Sequence, residues 1–262
     1  MALTALVSAA GSPGVTTAAV GLALTSDRPA LLVEADPTGG SAVLAGFFRG
    51  TCEHPGGLLD LVWAYREGRL DEQLPASTMR FPDSTATLLP GVRSHAQARN
   101  AAPIWEPLAA ALRELRATGQ DVVVDAGRLG LAGSPEPLLH AADVALLVVR
   151  SDLVAVSAAR SWAAALRDGF DRVGAADRLG LLLVGPGRPY AAREVAAVLG
   201  VPVVASLAWS DQGSAVFSRG ARPPRRFPSS AYVQSLRTAW TAIHAAATAP
   251  DELLTAGSEA RP

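Results

Sequence analysis

The sequence predicts an α/β fold, doubly wound, with a mostly parallel central sheet of about seven strands and helices on both faces. Three observations lead there. Short β-type runs alternate with helical stretches from the first residue to the last quarter of the chain. Several of those runs, ALLVEAD, DVVVDAG, DVALLVV and LGLLLVG, are almost continuously apolar, and a strand without polar alternation has to be covered on both faces. The 262 residues, 49% apolar and 18% charged, suffice to bury the core that such a sheet requires.

The elements follow in order. The first strand, Leu3–Ser8, leads through the loop Ala9–Thr17 into the apolar helix AAVGLAL. The second, Ala30–Glu34, runs into VEADPTGG, and the third covers Ala86–Leu89. Leu108, Leu112 and Leu115 form the apolar stripe of a helix that precedes the fourth strand, Asp121–Asp125. Val144–Val149 is the fifth, followed by a helix with Val154, Ala158, Trp162 and Leu166 on one face. Leu181–Val184 and Val201–Leu207 complete the sheet, and Val233, Leu236, Trp240 and Ile243 mark a closing helix expected to dock onto it. No repeat or linker interrupts the series, so residues 1–247 form one domain and 248–262 a flexible tail.

Composition excludes several classes of function. No apolar run reaches the roughly 20 residues of a membrane-spanning helix, and the first residues lack the basic lead of a secretory signal, so a cytoplasmic protein without a transmembrane segment is expected. The single cysteine, Cys52, excludes an intrachain disulfide, and the four histidines lack metal-ligand spacing. Net charge is −1 and all basic residues are arginine, so chemistry that needs a lysine amine is absent. The basic cluster is Arg219, Arg222, Arg225 and Arg226, which Pro223 and Pro224 hold out of regular helix.

The junction of the first strand and helix carries the chemistry. A glycine-containing loop there exposes backbone N–H groups that cradle phosphate, helped by the helix dipole. Of the phosphate-loop pattern G-x-x-x-x-G-K-[ST], Gly14 and Thr16 are present, while Ala9 and Val15 stand at its other two fixed positions. Glu34 and Asp36 after the second strand and Asp125 ending the fourth bring carboxylates to the carboxyl edge of the sheet, where open α/β sheets bind ligands.

Together these segments resemble the MinD/ParA family of deviant P-loop ATPases. The family motif K-G-G-x-G-K-T-T aligns with Ala10-Gly11-Ser12-Pro13-Gly14-Val15-Thr16-Thr17, and V-D-x-D-P-x-G with Val33 to Gly39. Gly57-Leu58-Leu59-Asp60-Leu61, Leu88-Leu89-Pro90-Gly91, Leu199 to Val203 and Ser218-Arg219-Gly220 resemble further family segments, over about residues 3–245. The resemblance implies a P-loop NTPase fold, ATP and Mg²⁺ as ligands, phosphate binding by Gly11, Ser12, Pro13, Gly14, Val15, Thr16 and Thr17, and Mg²⁺ at Thr16, Asp36 and Asp125. It also implies Asp36 as the carboxylate that positions the attacking water, with Glu34 as its partner.

The departures carry as much information. The family's two phosphate-facing lysines, one of which crosses a dimer of sandwiched subunits, correspond to Val15 and Ala10. Each such charged contact contributes about 1.5–3 kcal/mol, so ATP binding should be weak and hydrolysis nearly lost. Arg128 and Arg150 are the candidate replacements near the loop, and Gly185-Pro186-Gly187-Arg188 stands where the family has its base-reading Asn-Arg. The expected function is a positioning, localisation or scaffold factor for cell division, partition or a pilus or secretion apparatus, with weak or absent ATP hydrolysis. The alternatives are an active ParA-type partition ATPase with arginine replacing lysine, and a small-molecule enzyme of the amidotransferase or synthetase branch. Expected partners are a second copy in a homodimer, an unidentified protein, and DNA bound by the arginine cluster.

Overall fold

The computed structural model describes residues 1–10, 12–54 and 56–259. Its core is an eight-stranded sheet in the order β3-β4-β2-β5-β1-β6-β7-β8. The strands are β1 (Leu3–Ser8), β2 (Ala30–Glu34), β3 (Met79–Arg80), β4 (Thr87–Leu89), β5 (Asp121–Arg128), β6 (Val144–Arg150), β7 (Leu179–Val184) and β8 (Val203–Leu207). All pairs are parallel except the short β3–β4 edge. The eighth strand, β3, is this edge, which the sequence does not announce. β1 lies between β5 and β6; the chain first winds toward β2 and β4, then returns and continues through β6, β7 and β8. The loop after β1 is therefore at the switch point, where open α/β sheets form their ligand crevice.

Period-two alternation sorts the strand side chains into two apolar layers. Leu3, Ala5, Val7, Val33, Val124 and Leu147 face one side. There they pack against α3 (Leu58–Arg66), α6 (Trp105–Glu114), α7 (Glu136–Ala141), α8 (Leu153–Arg172) and α9 (Ala192–Leu199). Leu6, Leu32, Val123, Leu146 and Leu182 face the other, beneath α1 (Val15–Thr25), α2 (Ala42–Ala45), α10 (Asp211–Arg219) and α11 (Ala231–Glu259). Two short helices, α4 (Leu70–Ala76) and α5 (His95–Ala101), complete the first layer around Leu70, Leu74, Ala98 and Ala101.

The closing helix docks as the sequence predicts. Trp240 donates its indole N–H to the Leu22 carbonyl of α1 at 2.8 Å, and His244 pairs with Asp121 at 3.0 Å. Helix α11 runs through Glu259, over most of the 248–262 stretch expected as a tail. Several strand boundaries differ: β4 starts at Thr87, β6 ends at Arg150 and β7 starts at Leu179; β5 continues past Asp125 to Arg128, so Asp125 is inside the strand, and β8 starts at Val203, after Pro202, which has no N–H for the ladder.

Candidate functional site

The loop after β1 enters α1 through Gly14, which caps the helix with φ 103° and makes no side-chain cap. That dihedral lies in the left-handed region that glycine adopts at least cost. The first N–H groups of α1 are thus left for a ligand, as at anion-binding helix N-termini. Ser12, standing where the MinD/ParA pattern has glycine, is itself left-handed at φ 46°. Val15 is only 7% exposed and belongs to the apolar layer with Ala18 and Leu22. Its side chain completes the core rather than reaching into the crevice. Ala10 is half-buried, and Gly11 lies outside the described residues.

Three carboxylates converge beside this loop. Asp125 is fully buried, accepts a hydrogen bond from Gly127 N at 3.0 Å and is bonded to the Thr16 hydroxyl. Burial first, and then the charges of Glu34 and Asp36, push its pKa up to about 7 against the pull of the Thr16 bond. Glu34 is also raised, chiefly by burial, although it accepts bonds from the Ser41 hydroxyl and from Val43 N at 3.0 Å. Asp36 accepts from the Thr38 N–H and hydroxyl, both at 2.8 Å. Gly127 lies against it: a Cβ at that position would come 2.3 Å from Asp36 Cγ. Thr16, Glu34, Asp36 and Asp125 share a cavity of about 30 Å³ with Ser41 and Gly91. That is the room of about one water molecule or one small ion. The segments around Gly57 and Gly91 close this side together, Leu58 N donating to Pro90 O at 3.1 Å.

A larger cleft of about 400 Å³ opens on the other side of the loop. Ser12, Gly14 and Thr17 form one wall, and Trp209, Asp211, Arg219 and Tyr232 form much of the rest. Arg150, at the end of β6, reaches into it and donates from Nη2 to Ser12 O at 2.9 Å. The Trp209 ring centroid is 5.4 Å from Arg150 Cζ and 5.2 Å from Arg188 Cζ. Arg128 is exposed at the end of β5 and lines neither cavity. Of the arginine cluster, Arg219 lines the cleft while Arg222, Arg225 and Arg226 are exposed on the loop beyond α10, which the buried Phe227 anchors.

Sequence reading missed Trp209, Asp211 and Tyr232, which come from the end of β8, α10 and α11. The available signal was an aromatic residue directly after the last strand, at the carboxyl edge where ligands bind.

No protein-family model matches this sequence, and a search of curated proteins finds no match. Solved structures do match. The cell division ATPase MinD of Pyrococcus furiosus superimposes with a TM-score of 0.68 at 18% identity, over 91% of this chain and 98% of that one. Its fold is that of the MinD/ParA ATPases. The septum site-determining protein MinD of Pyrococcus horikoshii, solved with Mg-ADP, gives 0.65 at 19% identity over 99% and 100% of the two chains. A ParA family ATPase from Chlorobium tepidum gives 0.66 at 16% identity over 92% and 97%. The MinD/ParA fold brings the loop after β1, the three carboxylates and the cleft to one edge of the sheet.

The residues present can be tested against the nucleotide and Mg²⁺ that this fold implies. The open N-terminus of α1 and a cleft of this size fit a nucleotide, whereas Val15 and Ala10 supply no charge to its phosphates. Although Glu34, Asp36 and Asp125 line one cavity, among the described residues no group of three His, Cys, Asp or Glu side chains is arranged to hold a metal ion by itself. A Mg²⁺ ion beside Thr16 would therefore take ligands from the phosphates as well as from the protein.

Proposed function

We propose that this protein is a MinD/ParA-like positioning, localisation or scaffold factor that keeps the nucleotide-binding fold and hydrolyses ATP weakly or not at all. The observation that carries this reading is Val15, an aliphatic side chain packed into the core at the position of the phosphate-facing lysine, together with Ala10 at the other. Phosphoryl transfer depends on positioned charge around the transferring group, and neither residue provides any. In this reading the backbone of Gly11 to Thr17 holds phosphate. Thr16, Asp36 and Asp125 serve Mg²⁺, and Asp36 orients water in whatever slow hydrolysis remains. The same reading has the protein act through a second copy of itself, through a protein partner, and through DNA held by Arg219, Arg222, Arg225 and Arg226.

The test is ATP turnover of the purified protein compared with a Thr16→Ala/Asp125→Ala variant. Equal rates are expected. A Mg²⁺-dependent rate that the variant loses would overturn the reading in favour of an active ParA-type partition ATPase, which the contact between Arg150 and the loop supports.

A further inference from the structure

We propose that Arg150 is the phosphate-holding cation of the cleft and that Trp209 positions it, the two replacing a lysine on the loop with a guanidinium delivered from the neighbouring strand. The inference rests on the reading that the chain keeps a nucleotide-binding fold, and it concerns binding alone.

The argument begins with sheet order. β6 is the neighbour of β1 on the side of the cleft, so a long side chain on the last residue of β6 reaches the loop that follows β1. Arg150 does so, bonding Ser12 O at 2.9 Å. The contact occupies one of its donors. Its Nε is buried and has no hydrogen-bond partner, and among the described residues no carboxylate pairs with it. A buried guanidinium donor left unbonded is unfavourable, and an anion in the cleft would satisfy it.

The surroundings point the same way. Trp209 lies beside the guanidinium groups of both Arg150 and Arg188, and Arg219 lines the same cleft, against the single carboxylate Asp211. Two guanidinium groups, of Arg150 and Arg219, line one opening, with that of Arg188 against the same indole, and an anionic ligand relieves their repulsion. The indole fixes Arg150 by a cation–π contact and, 38% exposed, presents surface on which an aromatic base can stack. The other arginines lack these features. Arg128 is exposed and outside the cleft, and Arg219 sits in the last turn of α10, where the helix dipole already favours a cation. The ligand class is a nucleotide, with its phosphates toward Gly14, Thr17 and Arg150 and its base at Trp209.

The experiment is titration of the full chain with ADP, pyrophosphate and adenosine separately, followed by calorimetry and by tryptophan fluorescence. ADP is expected to bind and to change the fluorescence, and the change should vanish in Trp209→Phe. Arg150→Ala should weaken ADP and pyrophosphate by about tenfold or more while leaving adenosine unaffected, and Arg128→Ala should match the wild type. Arg150→Gln, which keeps most of the packing, should show the same loss. Selective loss of ADP and pyrophosphate with adenosine unchanged is a result that a merely structural role for Arg150 does not predict. Equal affinities for wild type and both Arg150 variants, or no ADP binding by the wild type, would overturn the proposal and leave the weak-hydrolysis reading standing. Rapid Mg²⁺-dependent turnover would overturn that reading and leave this one.

Discussion

Asp125 shows how the site stores its chemistry in single residues. Its carboxyl is held near pKa 7 by burial and by the charges of Glu34 and Asp36, far above the ordinary 3.8. Because the folded value is the raised one, the associated stability is fully present at low pH and is lost as pH rises through about 7. Glu34, raised for the same leading reason, adds with the same sign. The ligand-free protein should therefore melt at progressively lower temperature between about pH 4 and pH 7, by calorimetry. Asp125→Asn should flatten that profile and gain roughly 1–3 kcal/mol at the alkaline end. Parallel profiles for the two proteins would remove Asp125 as the cause. Gly127 supplies a second prediction. Its φ of 66° and the 2.3 Å approach of a Cβ to Asp36 Cγ leave no room for alanine. Gly127→Ala should destabilise by roughly 2–4 kcal/mol in urea unfolding, because both backbone strain and steric overlap act.

Among the elements, α1 and α11 depend on each other. The Leu22 carbonyl near the end of α1 accepts from the Trp240 indole as well as from Ser26 N, and Leu236 packs where Gly21 leaves space, a Cβ there meeting it at 3.0 Å. Trp240→Phe keeps most of the buried area but leaves that carbonyl without the indole donor, so a loss of about 1–2 kcal/mol is expected from chemical denaturation. An unchanged midpoint would show that water replaces the indole at no cost. The elements legible in the sequence are those with strong local signals. The apolar runs that become β1, β2, β5, β6 and β7 need cover on both faces and say so in their composition. β3 has two residues, Met79 and Arg80, neither of them buried, and exists because β4 offers an antiparallel edge. The loop, Thr16 and the carboxylates were legible because the loop follows β1 directly, Glu34 and Asp36 lie at the end of β2 and Asp125 closes the apolar run of β5. Trp209 and Tyr232 were not, because the cleft wall exists only once β8, α10 and α11 have assembled.

For the whole molecule, assembly is independent of nucleotide in the proposed reading. A ligand shifts an equilibrium only through its different affinity for the two states, and Ala10 makes no bridge to a nucleotide held by another subunit. Sedimentation should give the same association state with and without ATP and Mg²⁺, whereas nucleotide-driven dimerisation would place the bridging charge elsewhere in the chain. The charge distribution is also uneven, with Arg219, Arg222, Arg225 and Arg226 close together in a chain of net charge −1. If this loop holds DNA, binding should be indifferent to sequence and fall with salt at a log–log slope near −3 to −4. A gel-shift series across salt concentrations measures that slope, and equal binding by a variant with all four changed to alanine would remove the patch from the account.

The position of β1 in the sheet has a consequence for the making of the protein. β1 leaves the ribosome before every other strand of its sheet, yet its two partners, β5 and β6, begin only at Asp121 and Val144, and α1 waits for α11, which begins at Ala231, more than 200 residues later. At synthesis rates of roughly 5–20 residues per second, an apolar strand with two open edges stays unpaired for several seconds or longer in every nascent chain. The growing polypeptide is thus a natural client for chaperones throughout most of its translation. A message cut short before α11 should deliver aggregate rather than a smaller working protein.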